Sequence, residues 1–90
     1  MDYKKIYMIG IGGIGLSALA QYMAHEGAEV SGSDREESPT TAMLGRKGIN
    51  VIVGQQAGNV PQDADLVVYS DAVPADGPER MRATELKIPQ

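Results

Sequence analysis

An open, parallel α/β sheet with strand order 3-2-1-4 and helices on both faces is the fold this sequence predicts. Three observations carry the prediction. Short apolar runs alternate along the chain with segments of helical periodicity. The first run ends in a glycine-rich turn, Gly10-Ile11-Gly12-Gly13-Ile14-Gly15, which leads straight into a helix-forming stretch. A later run, Leu66-Val67-Val68-Tyr69, is apolar throughout, as expected of a strand covered on both faces. The 90 residues suffice for one such domain. At this size roughly 60–65% of the unfolded chain's surface becomes buried, so the core is thin.

The elements follow in order. Residues 5–9, KIYMI, form the first strand, bounded by Gly10. Residues 14–25 read as a helix: Leu16, Leu19, Ala20 and Met23 make an apolar stripe, and Ser17, Gln21 and His25 a polar one. Gly27 stops that helix in the position just past its cap. A second strand over 28–33 ends at Asp34, and a polar loop follows at 35–38. Ser38 before Pro39 is an N-cap with proline in the first helical position, opening a helix through Met43 and Leu44 to Lys47, with Gly48 beyond it. Residues 49–53 form a third strand, 54–62 are irregular with room for one helical turn, and 65–70 hold the fourth strand. The loop DAVPADG leads to a last helix over 78–86, after which KIP reads as the entry to a fifth strand that is missing. Parallel crossovers between these strands give half of a doubly wound sheet.

Composition excludes several function classes. The formal net charge is −4 with both signs mixed along the chain, which lacks the basic face of a nucleic-acid binder. There is no cysteine, so disulfides and thiolate metal sites are ruled out, and one histidine makes a metal site unexpected. MDYKK lacks the apolar core of a signal peptide. No run approaches the ~20 apolar residues of a membrane span. The expectation is a soluble, cytoplasmic protein without membrane, metal or nucleic-acid partner.

The glycine turn carries the chemistry. Gly10-x-Gly12-x-x-Gly15 follows a strand and opens a helix, the context of a dinucleotide-type, Rossmann-like fingerprint. On this reading Gly10 permits the tight turn, Gly12 lets backbone approach a ligand and Gly15 lets the helix pack on the strand, with Gly13 a further bare position. The first free N–H groups of the helix, from Ile14 onward, and the helix dipole favour an anion such as a diphosphate. Asp34 lies 19 residues past Gly15 at the end of the second strand, where a carboxylate accepts bonds from ribose hydroxyls. The sheet order reverses between strands 1 and 4, so Ser70, Asp71, Ala72 and Val73 are expected to face the glycine turn. Each feature also has a plainer reading: a turn that only packs, a surface aspartate, a connecting loop. His25 reads as solvated, Met8, Met23 and Met43 as core filler, and Glu26, Glu29, Arg35, Glu36 and Glu37 as solvated charges. No catalytic triad, carboxylate pair or G-x-x-x-x-G-K-[ST] phosphate loop is present.

At GIGGIGLSALA, VSGSD, SPTT and YSDAVPADGPE, and in the tail ATELKIP, the sequence resembles the N-terminal domain of the Mur ligases of peptidoglycan synthesis, in their L-alanine-adding branch. The resemblance covers essentially the whole chain in order. It implies a UDP-sugar-binding domain for UDP-N-acetylmuramate within a three-domain ligase, with no cofactor in this domain. A central domain would bind ATP and Mg²⁺, and a third would help bind the amino acid. Members form an acyl phosphate on the muramoyl carboxylate, which the alanine amine attacks; the catalytic residues lie in the other domains, so this chain alone is expected to be inactive. Carried over, Gly10, Gly12, Gly13 and Gly15 would hold the diphosphate, and Asp34 with Ser33 would sit near the uridine ribose. Gln55 stands where the family usually has a histidine near uracil, and Asp71 where it usually has serine or threonine. The other open readings are an NAD(P)-binding domain of an oxidoreductase or regulatory module, and a ligand-free interaction module.

Overall fold

In the computed structural model, which describes residues 3–90, the fold is built outward from one strand. β1 (Lys5–Ile9) carries four consecutive buried side chains that alternate between two cores. Ile6 and Met8 join Ile11, Ala20, Val30, Leu44 and Ile49 on one face; Tyr7 and Ile9 join Val60, Ala64, Val67, Ala83 and Ile88 on the other. Period-two alternation in a strand covered on both faces produces this division.

β2 (Glu29–Asp34) and β4 (Leu66–Tyr69) flank β1, and β3 (Asn50–Val53) lies outside β2, giving an all-parallel sheet in the order β3-β2-β1-β4. α1 (Ile14–His25) and α2 (Pro39–Arg46) supply residues to the first core, α3 (Pro78–Glu85) to the second. A single 3₁₀ turn, Ala57–Asn59, occupies the irregular stretch. The expected order and two-sided helical cover are therefore observed. The caps follow from local chemistry. Gly27 and Gly48 have φ of +99° and +86°. Ser38 Oγ accepts from Thr41 N–H at 3.1 Å while Thr41 Oγ1 accepts from Ser38 N–H at 2.9 Å, a reciprocal capping box. At the base of the sheet Asp65 Oδ2 accepts from the N–H groups of Lys5 and Lys4, both at 2.9 Å. Those two bonds hold its carboxyl below the usual carboxylate range.

Two expectations need correction and a third is met. Ser17, a member of the polar stripe, is buried; its hydroxyl donates to Ile14 O at 3.1 Å, which satisfies so small a polar side chain locally. β4 is an edge strand: Val67 is fully buried, but Leu66, Val68 and Tyr69 are only partly so. The fifth strand that the KIP tail would enter is missing, as expected. The tail's Ile88 is buried and Pro89 O accepts from Val67 N–H at 2.8 Å, so the tail leans on the free edge of β4 with a single ladder-like bond.

Gly32, in the middle of β2, has no room for a side chain. A Cβ there would lie 2.2 Å from Met8 O and 2.9 Å from Ile11 Cδ1. Glycine inside a strand marks such a close approach. Gly32→Ala should lower the unfolding free energy in urea by about 3 kcal/mol, the upper end of overpacking costs, because the obstructing atom is backbone. A loss under about 1 kcal/mol would show that β1 and β2 separate easily.

Candidate functional site

The glycine turn is fastened to the end of β2. Gly10, at φ +82°, reverses the chain after β1, and the N–H groups of Gly10 and Ile11 both donate to Ser33 O, at 2.8 and 3.0 Å. Gly12 N–H donates to Asp34 Oδ2 at 2.8 Å, and Gly13 N–H to Gly10 O at 3.1 Å. Every N–H from Gly10 to Gly13 thus has a partner within the protein. The next ones do not. No side chain caps α1, so the N–H groups of Ile14, Gly15 and Leu16 have no intrahelical acceptor. They sit at the positive end of a 12-residue helix, with Gly15 exposed and Ile14 93% exposed. The anion-attracting groups are therefore those of the helix start, and the glycine amides before them are occupied in shaping the turn.

Beside this turn a cleft of about 550 Å³ opens at the C-terminal ends of the strands. One wall is the turn itself, through Gly10, Gly12 and Gly13; the end of β2 adds Asp34, Arg35, Glu36 and Ser38. Gln55 lines it from the end of β3, after a left-handed Gly54 whose N–H donates to Asp34 O at 2.8 Å. The opposite wall consists of Ser70, Ala72, Val73 and Pro74 after β4, closed by Gly77 and Pro78 at the start of α3. That wall is held by Arg80, which stacks 3.7 Å from the Tyr69 ring centroid and donates from Nη1 to Val73 O at 3.3 Å. This is the point where the strand order reverses, the place open α/β sheets bind ligands. A second hollow, of about 420 Å³, runs along α2 and β3 and includes no residue of the glycine turn.

The expected site residues divide accordingly. Gly10, Gly12, Gly13, Asp34, Gln55, Ser70 and Ala72 line the cleft. Ile14 and Gly15 stand exposed at the adjoining helix start, and Asp71 is exposed outside the lining. Ser33 is a correction: it is fully buried, its hydroxyl donates to Glu79 Oε1, and it offers nothing to a ribose. Two glycine roles also change. A Cβ on Gly12 would meet Asp34 Oδ2 at 2.7 Å and Thr41 Cγ2 at 3.0 Å, so its bareness serves the Asp34 clamp. A Cβ on Gly15 would meet nothing within 4 Å, so it does not mediate helix–strand packing. Arg35 and Glu36 are exposed, as expected of solvated charges, and both also reach the cleft rim. Glu79 gives no sign of a role in the sequence beyond its place in the first turn of a helix after Gly77-Pro78.

The chain matches the family described as "Mur ligase family, catalytic domain" over residues 5–90. It belongs to the Mur ligase family. Curated relatives include the UDP-N-acetylmuramate–L-alanine ligases of Alkaliphilus metalliredigens, 49% identical over 86 residues, and Clostridium kluyveri, 45% identical over 86 residues. The matches span 96% of this chain but 18% and 19% of those proteins, so the chain covers about one fifth of their length. Among solved structures, the UDP-N-acetylmuramate–alanine ligase of Thermotoga maritima superposes with a TM-score of 0.91 at 42% identity, covering 97% of this chain and 20% of that one. The UDP-N-acetylmuramate:L-alanyl-γ-D-glutamyl-meso-diaminopimelate ligase of Neisseria meningitides superposes with a TM-score of 0.86 at 31% identity, covering 96% and 27%. The sheet order described here is thus that of a Mur ligase domain.

The two corrected glycines give opposite expectations. Gly12→Ala should cost about 1–3 kcal/mol in urea unfolding, because its methyl displaces the Asp34 carboxylate. Gly15→Ala should leave stability unchanged or raise it by up to about 1 kcal/mol, as expected for alanine replacing glycine in an open helical position. The reverse ranking would contradict the placement of both Cα atoms.

Proposed function

We propose that this chain is the UDP-N-acetylmuramate-binding domain, residues 1–90, of an ATP-dependent ligase that adds L-alanine in peptidoglycan precursor synthesis. The observation that carries the reading is the cleft at the strand-order reversal, in a chain 49% identical over nearly its whole length to a UDP-N-acetylmuramate–L-alanine ligase. The diphosphate would lie against the N–H groups of Ile14, Gly15 and Leu16. Asp34 would hold the glycine turn in register beneath it and keep a free lone pair for a ribose hydroxyl. Gln55 would meet the uracil end, its amide donating and accepting on the base edge. Ser70 and Ala72 would close the opposite side, with Asp71 directed outward.

The net charge of −4 does not oppose this. A helix terminus acts within its first turn, whereas net charge is spread over the surface. The chain has no G-x-x-x-x-G-K-[ST] segment, and the described residues contain no cluster of three metal-ligating side chains. These residues therefore do not fit ATP or Mg²⁺, and activation of the muramoyl carboxylate is left to the central and C-terminal domains of the full-length ligase. A cytoplasmic location follows from where such nucleotide-activated precursors are made; no helix among the described residues is long and apolar enough to cross a membrane.

Calorimetric titration of this chain with UDP-N-acetylmuramate and, separately, with NADH tests the reading. The UDP-sugar should bind at least tenfold more tightly than NADH, a difference of about 1.4 kcal/mol or more. Equal affinities, or tighter NADH, would favour a nicotinamide-dinucleotide domain and sink the UDP-sugar assignment.

A further inference from the structure

Beneath the cleft, its walls converge on one buried carboxylate. Glu79 is 1% exposed and has no cationic partner among the described residues. Its Oε2 accepts from Tyr7 Oη at 3.0 Å, from Asn59 Nδ2 at 2.9 Å and from Gln56 N–H at 3.2 Å, and its Oε1 accepts from the Ser33 hydroxyl. A buried carboxylate is costly unless its lone pairs are satisfied, and here neutral donors alone satisfy them. Tyr7 is held as a neutral donor: burial, and after it the Glu79 charge, push its hydroxyl well above the ordinary tyrosine range.

Three of the donors stand behind the cleft's walls: Ser33 behind the glycine turn, Gln56 and Asn59 behind Gln55. The Ser33 carbonyl accepts the Gly10 and Ile11 N–H groups that fix the glycine turn. Gln56 follows Gln55 directly and is held by Glu79, while Asn59 Nδ2, itself on Glu79, also donates to Gly54 O at 2.9 Å and holds the other end of the segment that presents Gln55. Gly77 and Pro78, which precede Glu79, line the cleft themselves. An apolar side chain of the same size would fill the space at lower cost but would fix none of these directions.

We propose that Glu79 is a positioning residue of the cleft: its carboxylate fixes the Gln55 wall against the glycine turn and so sets the separation between the base and diphosphate ends of the ligand. The identity of that ligand rests on the UDP-sugar reading. The glycine turn has its own anchors in Ser33 O and Asp34, whereas the Gln55 wall has one bond there, from Gly54 N–H to Asp34 O, and otherwise depends on Glu79 through Gln56 and Asn59. Weakening the network therefore affects the base end selectively.

The test uses Asn59→Ala, which removes the arm to residues 54–56, and Glu79→Gln, which keeps the shape but replaces one accepting oxygen with a donor. Both are titrated with UDP-N-acetylmuramate and with inorganic pyrophosphate, and backbone amide resonances are recorded without ligand. In Asn59→Ala the UDP-sugar should weaken about tenfold or more while pyrophosphate changes by less than about twofold. Glu79→Gln should show the same direction with a smaller loss. Without ligand, the Gln55 and Gln56 amides should move in both variants while the Gly12 and Gly13 amides stay in place. Equal losses for both ligands, UDP-sugar affinity unchanged in a folded variant, or Gln55 and Gln56 amides that do not move would overturn the proposal. If the unaltered chain binds no UDP-sugar, the ligand reading falls, and the ligand-free resonances decide the positioning role by themselves.

Discussion

Between the last residue of β1 and the first turn of α1 the chain has to reverse direction over the end of β2 while leaving no buried N–H group unpaired. Ser33 O takes two of those groups and the Asp34 carboxylate a third. Much of the molecule depends on this docking. It requires the left-handed conformation at Gly10 and a missing side chain at Gly12, so that Asp34 and Thr41 fit against the backbone. It brings Ile11 down onto β2, where only glycine at position 32 leaves room. It also sets where α1 begins, and hence where the unpaired N–H groups of that helix point.

The division of labour that results differs from a glycine loop whose amides all face a ligand. The amides from Gly10 to Gly13 are structural, and those at the helix start are free. Asp34 joins both sides of the site: its side chain holds the glycine turn, and its carbonyl accepts from Gly54 N–H just before Gln55. Ser33 does the same one residue earlier, with its carbonyl on the turn and its hydroxyl on Glu79. Two adjacent residues at the end of β2 thus connect the phosphate side of the cleft to the base side. Their orientation follows from strand alternation, which sends one side chain into the second core and the next toward the cleft.

What could be read from the sequence was what depends on neighbours along the chain. Gly10 at a strand end, Gly27 past a helix, and Ser38 before Pro39 each announce a local backbone requirement, and each is met. The apolar runs and their order were enough for the sheet topology, and the glycine turn with Asp34 was enough to locate the cleft. What could not be read depends on atoms far away in sequence. Nothing near Gly32 indicates that Met8 O lies against it, and nothing near Gly15 indicates that its missing Cβ would face open space. Ser33 looked available to a ribose because only the structure brings Glu79, 46 residues later, to its hydroxyl. Ser17, a polar residue at helical spacing, carries no sign that it will satisfy itself on Ile14 O.

The account stands or falls on whether the Asp34 carboxylate is first a clamp on the glycine turn. The most direct measurement is the affinity of Asp34→Ala for inorganic pyrophosphate and for UDP-N-acetylmuramate, with the Gly12 amide proton followed by NMR. A clamp predicts that both affinities fall, the UDP-sugar at least as much as pyrophosphate because it also loses the ribose contact, and that the Gly12 amide loses its hydrogen-bonded shift. Pyrophosphate affinity unchanged, with the Gly12 amide unmoved and only the UDP-sugar weakened, would contradict the account and make Asp34 a ribose ligand that leaves the turn to hold itself.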